Sequence, residues 1–223
     1  FQGFSKETSD FLWELSFNNE RPWFQAHKEQ FLETVDSPFK ALAADVYTLM
    51  RQRLPERELQ LHVSRIYRDA RRLFGRGPYK DHLWFMLYEG DKHESGPCFW
   101  FELAPATYSY GMGFWDASPA QAEAYRRQID ANPARFERLI RPIEAKKYRL
   151  YGSEYKRPKA ERPAPISRWY NQRRVSVGHE FDFGGEALSD RLPLLVADCF
   201  SELLPLYDFF CEFFRAAREQ RPL

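Results

Sequence analysis

The chain of 223 residues has only three cysteines and three methionines, and its formal net charge is +1. Cys98, Cys199 and Cys211 form no Cys-x-x-Cys pair. If Cys199 and Cys211 share a helix, the rise per residue holds them about 18 Å apart, too far to bridge. An odd, sparse cysteine set fits a reducing compartment. No apolar run approaches the roughly 18 residues that span a bilayer, and the opening stretch pairs no charged start with an apolar block. The expectation is therefore a cytoplasmic protein with no membrane partner. The near-zero charge excludes a chain that is basic throughout. Gly-x-Ser-x-Gly elbow, P-loop, post-strand Gly-x-Gly-x-x-Gly and His-Glu-x-x-His motifs are all missing. His27, His62, His82, His93 and His179 are scattered and make no zinc set with the cysteines, so neither metal nor cofactor is expected.

What the sequence has instead is aromatic side chains, 17% of the residues, with 20 Phe, 12 Tyr and 6 Trp. A 43% hydrophobic and 29% charged composition supplies a core and argues against disorder. The length suits one domain spanning 1–223. The charge is uneven. Residues 62–80 carry six basic side chains and one acidic, and residues 126–174 carry fifteen and five. The longer block reads as solvated helix faces. The shorter one is denser, with five arginines and a lysine around a single aspartate.

The helical part is expected at 1–60, with Ser5 capping a first helix, a second near Pro22, and Ser37-Pro38 opening a third. The cap-proline signature recurs at Ser118-Pro119 and Asn132-Pro133, predicting helices over 119–147. A last helical region over 187–218 carries Pro205, which should kink or divide it. Between these the hydrophobic period shortens to two. His62 to Arg68, His82 to Tyr88, Cys98 to Leu103, Tyr108 to Trp115 and Val175 to Phe181 read as strands, placing a sheet core at 62–115 with 175–181. The fold class is α+β: an antiparallel sheet of about four to six strands packed with N-terminal, middle and C-terminal helices. Tyr155 to Ile166 reads as an exposed loop.

Alternation puts Leu83, Phe85, Leu87, Phe99, Phe101 and Leu103 on a helix-covered sheet face. His82, Trp84, Met86, Tyr88, Cys98, Trp100 and Glu102 fall opposite. That second face reads either as a stacking platform for a ligand or as another core layer. Trp169-Tyr170-Asn171 before Arg173-Arg174 reads equally as a stacking-plus-phosphate arrangement or as a buried aromatic pair.

Phe1-Gln2-Gly3-Phe4, Asn18-Asn19, Trp23-Phe24, His27-Lys28, Arg65-Ile66-Tyr67-Arg68-Asp69, Pro78-Tyr79-Lys80, Tyr110-Gly111-Met112-Gly113 and Arg126 follow in that order. Over nearly the whole chain this pattern resembles the bacterial and fungal conserved hypothetical proteins called domain of unknown function 2461. The Tyr-Arg-Asp…Pro-Tyr-Lys segment is its most specific part. The resemblance implies that the Phe-x-Gly-Phe opening is native rather than a tag remnant. It implies no activity. Members of the family have Arg-Phe-Ser-x-Asp-Lys between the two elements, where this chain reads Arg71-Arg72-Leu73-Phe74-Gly75-Arg76-Gly77. A role carried by the family's aspartate and lysine there does not transfer, and Arg76 is the cation available.

Guanidinium forks match phosphate and carboxylate oxygens, and glycine amides can approach an anion closely. Arg65, Arg68, Arg76, Tyr79, Lys80, Trp84 and Trp100 are therefore the ligand-binding candidates, for a phosphate-bearing small molecule or nucleic acid. Period two splits Arg65 and Arg68 between faces, so all six cations of 62–80 cannot converge. The plainer reading is an Arg-Asp pair bracing a tight turn. An enzyme acting on a phosphorylated small molecule would draw on Asp69, His82 and Glu102. A protein-interaction scaffold would instead bury the aromatic face in a homodimer contact. Asn18-Asn19 with Trp23-Phe24 reads as a cap and core anchors.

Overall fold

The computed structural model describes residues 1–69, 71, 73, 75–90 and 96–219. Of the sequence expectations, Arg72 and His93 lie outside the described residues. The fold is α+β, with six strands in one antiparallel sheet. The strands are β1 (Gln60–Val63), β2 (Leu83–Tyr88), β3 (Cys98–Leu103), β4 (Thr107–Phe114), β5 (Arg149–Glu154) and β6 (Gln172–Asp182), in the order β1-β2-β3-β4-β6-β5. Backbone contacts divide the chain into two compact units.

The first unit comprises Phe1–Leu87, Trp100–Tyr110 and Glu180–Asp198. It opens with α1 (Lys6–Phe17), α2 (Arg21–Ala26), α3 (Lys28–Phe31), a π-helical turn (Leu32–Asp36) and α4 (Ser37–Arg53). Ser5 caps α1 as expected. Ser37-Pro38, however, does not start a separate helix, because the backbone stays helical through Asp36 and Ser37. Pro38 has no N–H to give to the carbonyl four residues back, and the π turn accommodates that loss. The Thr34 carbonyl takes a hydrogen bond from the Thr8 hydroxyl instead, at 2.6 Å. From α4, Phe39 packs against Phe85 and Phe101 at 5.8 and 6.1 Å, and these two rings stack at 5.3 Å. Phe85 and Phe101 are fully buried, the fate alternation assigns them. Each such ring contributes about 1.5–3 kcal/mol through burial. The Tyr108 and Tyr110 rings lie beside Phe101, each with ring centres 6.3 Å apart.

The second unit comprises Tyr88–Phe99, Gly111–His179 and Cys199–Leu223, described as far as Glu219. Its helices α5 (Pro119–Ala131) and α6 (Pro133–Ala145) start where the cap-proline signals place them. Ser118 and Gln121 close a reciprocal capping box, and the Asn132 side chain accepts from the Arg135 amide at 2.9 Å. A short α7 (Ile166–Tyr170) precedes β6, and α8 (Leu192–Glu219) ends the described chain, running unbroken past Pro205. Phe99 lies against Phe200 and Tyr207 of α8 at 5.0 and 4.5 Å, and Phe114 packs on Phe210 at 5.1 Å. Gly111 sits at a close approach: a Cβ there would stand 2.0 Å from the Val177 carbonyl oxygen, so only glycine lets β6 come this close.

Two elements go unseen in the sequence. Strand β5 pairs antiparallel with β6, Arg149 opposite Gly178 and Tyr151 opposite Ser176, with an irregularity between Ser153 and Glu154. It occupies part of the basic block expected to be helix surface. Helix α7 carries Trp169 and Tyr170, both buried, which decides that pair as core anchors. Among the described residues no helix is long and apolar enough to cross a membrane, and no group of three or more His, Cys, Asp or Glu is placed to hold a metal ion.

Candidate functional site

The segment between β1 and β2 is a hairpin with an irregular ladder. The strand expected to run on to Arg68 stops at Val63, because the Ser64 hydroxyl rather than its carbonyl accepts the Trp84 amide, at 2.9 Å. The arms stay together beyond that point. Lys80 N–H donates to the Ile66 carbonyl at 2.7 Å, Arg68 N–H to the Pro78 carbonyl at 2.8 Å, and Tyr67 bridges Tyr79 antiparallel. Ile66 and Tyr79 are buried and anchor the hairpin, the Tyr79 ring stacking on Phe24 at 4.1 Å.

Asn19 locks this arrangement from the end of α1. Its amide group pairs with Tyr79 as a strand neighbour would, accepting from the N–H at 2.9 Å and donating to the carbonyl at 3.0 Å. Gly77 makes room for it, since a Cβ at that position would stand 2.2 Å from Asn19 Oδ1. Asn18 alone does the capping, donating to the Glu14 carbonyl at 2.9 Å. Two adjacent asparagines at a helix end give no local signal that the second bonds sixty residues away.

The cations sort into distinct groups. Arg68 lies against the hairpin with 13% of its side chain exposed, donating through Nε to the Tyr79 carbonyl at 2.7 Å and reaching Asp81 at 3.4 Å. Lys80 is half-buried, its Nζ 5.7 Å from the centre of the Trp84 ring. Burial, together with the charges of Arg68 and Arg65, holds the Lys80 ammonium below the usual lysine range. Among the described residues neither Lys80 nor Arg65 has a carboxylate partner. His62 lies beside the same indole, with ring centres 5.3 Å apart. Arg65, which is exposed, also borders a cleft of about 250 Å³ walled by Phe24, Phe31, Lys28 and Tyr67. The expected Arg-Asp brace exists too: Asp69 takes Arg71 through both carboxylate oxygens, at 3.0 and 2.7 Å, in the open. Arg76 is exposed in the tip, where its amide donates to the Leu73 carbonyl.

Of the ligand-binding candidates the structure thus brings together Arg65, Arg68, Lys80 and Trp84. Tyr79 is turned into the core, and Trp100 is buried at 9% exposure along with Tyr88 and Cys98 on the same sheet face. Only part of that face reaches the surface. The acid-base candidates have separate surroundings in the contacts shown: Asp69 holds Arg71, Glu102 is exposed on β3, and the His82 imidazole Nδ1 meets Asp81 Oδ1 at 3.0 Å. Asp81 is the acid that sequence reasoning passed over. Burial works to raise its carboxyl, but the His82 hydrogen bond, its own backbone amide and the charges of His82 and Arg68 hold it below the usual range. Spacing alone offered no reason to prefer Asp81 to Asp69.

Residues 7–209 match the model of a family described as Conserved hypothetical protein (DUF2461), and the chain belongs to that family. No curated protein matches it.

Proposed function

We propose that this member of the family is a binding module for a phosphate-bearing small molecule, held on the surface formed by Arg65, Arg68, Lys80 and Trp84. The observation that carries the reading is Lys80. A half-buried ammonium with two guanidiniums for neighbours and no carboxylate partner of its own among the described residues is an arrangement an anion would relieve. Arg68 is fixed by the Tyr79 carbonyl and reaches Asp81 at 3.4 Å, so its guanidinium is held in place without a further ordering cost. The indole of Trp84 and the imidazole of His62 supply flat surface for a planar group on the ligand. The three free cysteines support a reducing, cytoplasmic setting.

Isothermal titration at low salt with adenosine 5′-monophosphate and with inorganic phosphate tests the reading. Binding should weaken at least tenfold in Lys80→Met and in Arg65→Ala. Equal affinity in wild type and Lys80→Met would dismiss it. Tight binding of an oligonucleotide at this surface, lost in Lys80→Met, with none of the mononucleotide, would move the ligand to nucleic acid.

The contact between Asp81 and His82 favours a second reading, an enzyme acting on the same phosphorylated ligand. Here His82, oriented by Asp81, would be the proton-transfer group. Its mark is turnover of a phosphorylated substrate that His82→Gln abolishes while binding persists.

A further inference from the structure

A second cationic surface lies in the other compact unit, organised by one buried side chain. Asn171 Oδ1 accepts from the Lys159 amide at 2.7 Å, and its Nδ2 donates to the Ala160 and Ser167 carbonyls, both at 3.0 Å. The Asn171 carbonyl accepts from the Tyr155 amide at 3.0 Å. The loop 155–160 is thereby tied to the start of β6, and the pairing of Ser153 with Arg174 and of Glu154 with Gln172 tightens the same junction. Lys156, Arg157 and Lys159 of the loop and Arg173 and Arg174 of the strand border this tied junction as a basic ledge, all exposed. Among the described residues none of the five has an ion pair. The neighbouring cations differ: Arg162 is spent on Asp130 at 2.8 Å, and Arg168 reaches Glu144 at 3.7 Å. Over 154–174 the sequence sets seven basic side chains against two carboxylates, Glu154 and Glu161.

We infer that this ledge is a contact surface for the phosphodiester backbone of nucleic acid, read without regard to base sequence. Five uncompensated charges on a short, tied-down loop and strand start suit a polyanion of regular charge spacing, because each phosphate met releases condensed counterions. Base stacking has little to work with. The Tyr155 ring is already engaged by Lys159 Nζ at 4.5 Å and Arg126 at 5.6 Å, and Trp169 and Tyr170 are buried. The surface shares no residue with the Lys80 site and does not depend on it.

Fluorescence anisotropy of a labelled mixed-sequence 20-mer single strand, titrated with the full chain between 50 and 200 mM salt, tests this. Five phosphate contacts give a log-log salt slope of about −3 to −4. Lys156→Ala/Arg157→Ala/Lys159→Ala should weaken binding at 50 mM salt at least tenfold and flatten the slope, whereas Arg173→Lys/Arg174→Lys, which keeps the charge, should stay within about twofold. Lys80→Met should bind the strand like the wild type, which separates this surface from the one above. Absence of binding at 50 mM salt, undiminished binding by the triple variant, or binding only to phosphatidylserine vesicles would each overturn the inference.

Discussion

The side-chain amide of Asn19 clasps the backbone of Tyr79 through both its N–H and its carbonyl, at 2.9 and 3.0 Å. Arg68 Nε adds a second donor to that carbonyl. Three elements distant in sequence therefore meet on one peptide group, and the cations at Arg68 and Lys80 take their positions from it.

Replacing Asn19 by Ala should cost about 2 kcal/mol, because two part-buried backbone groups lose their partner. Gly77→Ala should destabilise as well, its new Cβ being forced against Asn19. In the double variant part of the Gly77 penalty should disappear with the side chain it strikes, while the Asn19 carbonyl, 2.4 Å from that Cβ, retains the rest. Chemical denaturation of the four proteins reads the coupling, and strict additivity would show that the clasp is not the point of contact.

Lys80 should weaken the fold it belongs to. Its pKa is depressed by burial and by Arg68 and Arg65, so the charged form costs stability at every pH below that lowered value. The cost is relieved as pH rises through the lowered pKa and is gone above the ordinary lysine value of about 10.4. Lys80→Met should raise the melting temperature at pH 7 by a few degrees, with the gain shrinking in alkaline buffer. Phosphate should raise the wild-type Tm and leave the variant unmoved. A variant that melts below the wild type at pH 7 would remove the electrostatic basis of the site.

Thr8 is fully buried, and its hydroxyl satisfies the carbonyl that Pro38 leaves open. Thr8→Val preserves the shape and strands that carbonyl, for a loss of about 1–3 kcal/mol. Adding Pro38→Ala should return part of it by restoring an N–H to the helix. Urea unfolding of the single and double variants gives the answer.

Burial pushes the Cys98 and Cys199 thiols up to about 12, so at pH 8 almost no thiolate is present at either. Titration of the native protein with a thiol-disulfide reagent should modify Cys211 first and leave the other two unreacted until denaturant is added. Rapid modification of three thiols under native conditions would contradict this packing.

Much of the fold was legible because its signals are local. Capping residues before proline located α5 and α6, and strict alternation located β2 and β3 together with their buried face. The failures have physical causes. β5 was hidden because an edge strand with one weakly buried face carries charged and polar residues that resemble helix surface. Ser37-Pro38 misled because the same dipeptide that opens a helix can also sit inside one when a widened turn precedes it. At the candidate site, composition marked a segment but not which of its cations the fold brings together. Nothing local distinguishes Arg68, braced by a carbonyl, from Arg71, paired in solvent, and the clasp by Asn19 depends on a contact across sixty residues.

The π turn at Leu32–Asp36 also sets a rule for length. An α-helix advances about 100° per residue, so holding every residue of this turn in ordinary winding would rotate Phe24 and Phe31 out of phase with the Phe39, Leu42 and Val46 stripe of α4. The hydrophobic faces on the two sides of the turn agree because the widened turn absorbs one extra residue. Deleting one residue within Leu32–Asp36 should therefore close the turn to ordinary winding with both faces still aligned, whereas the same deletion inside the α-helical part of α4 should throw its stripe out of register.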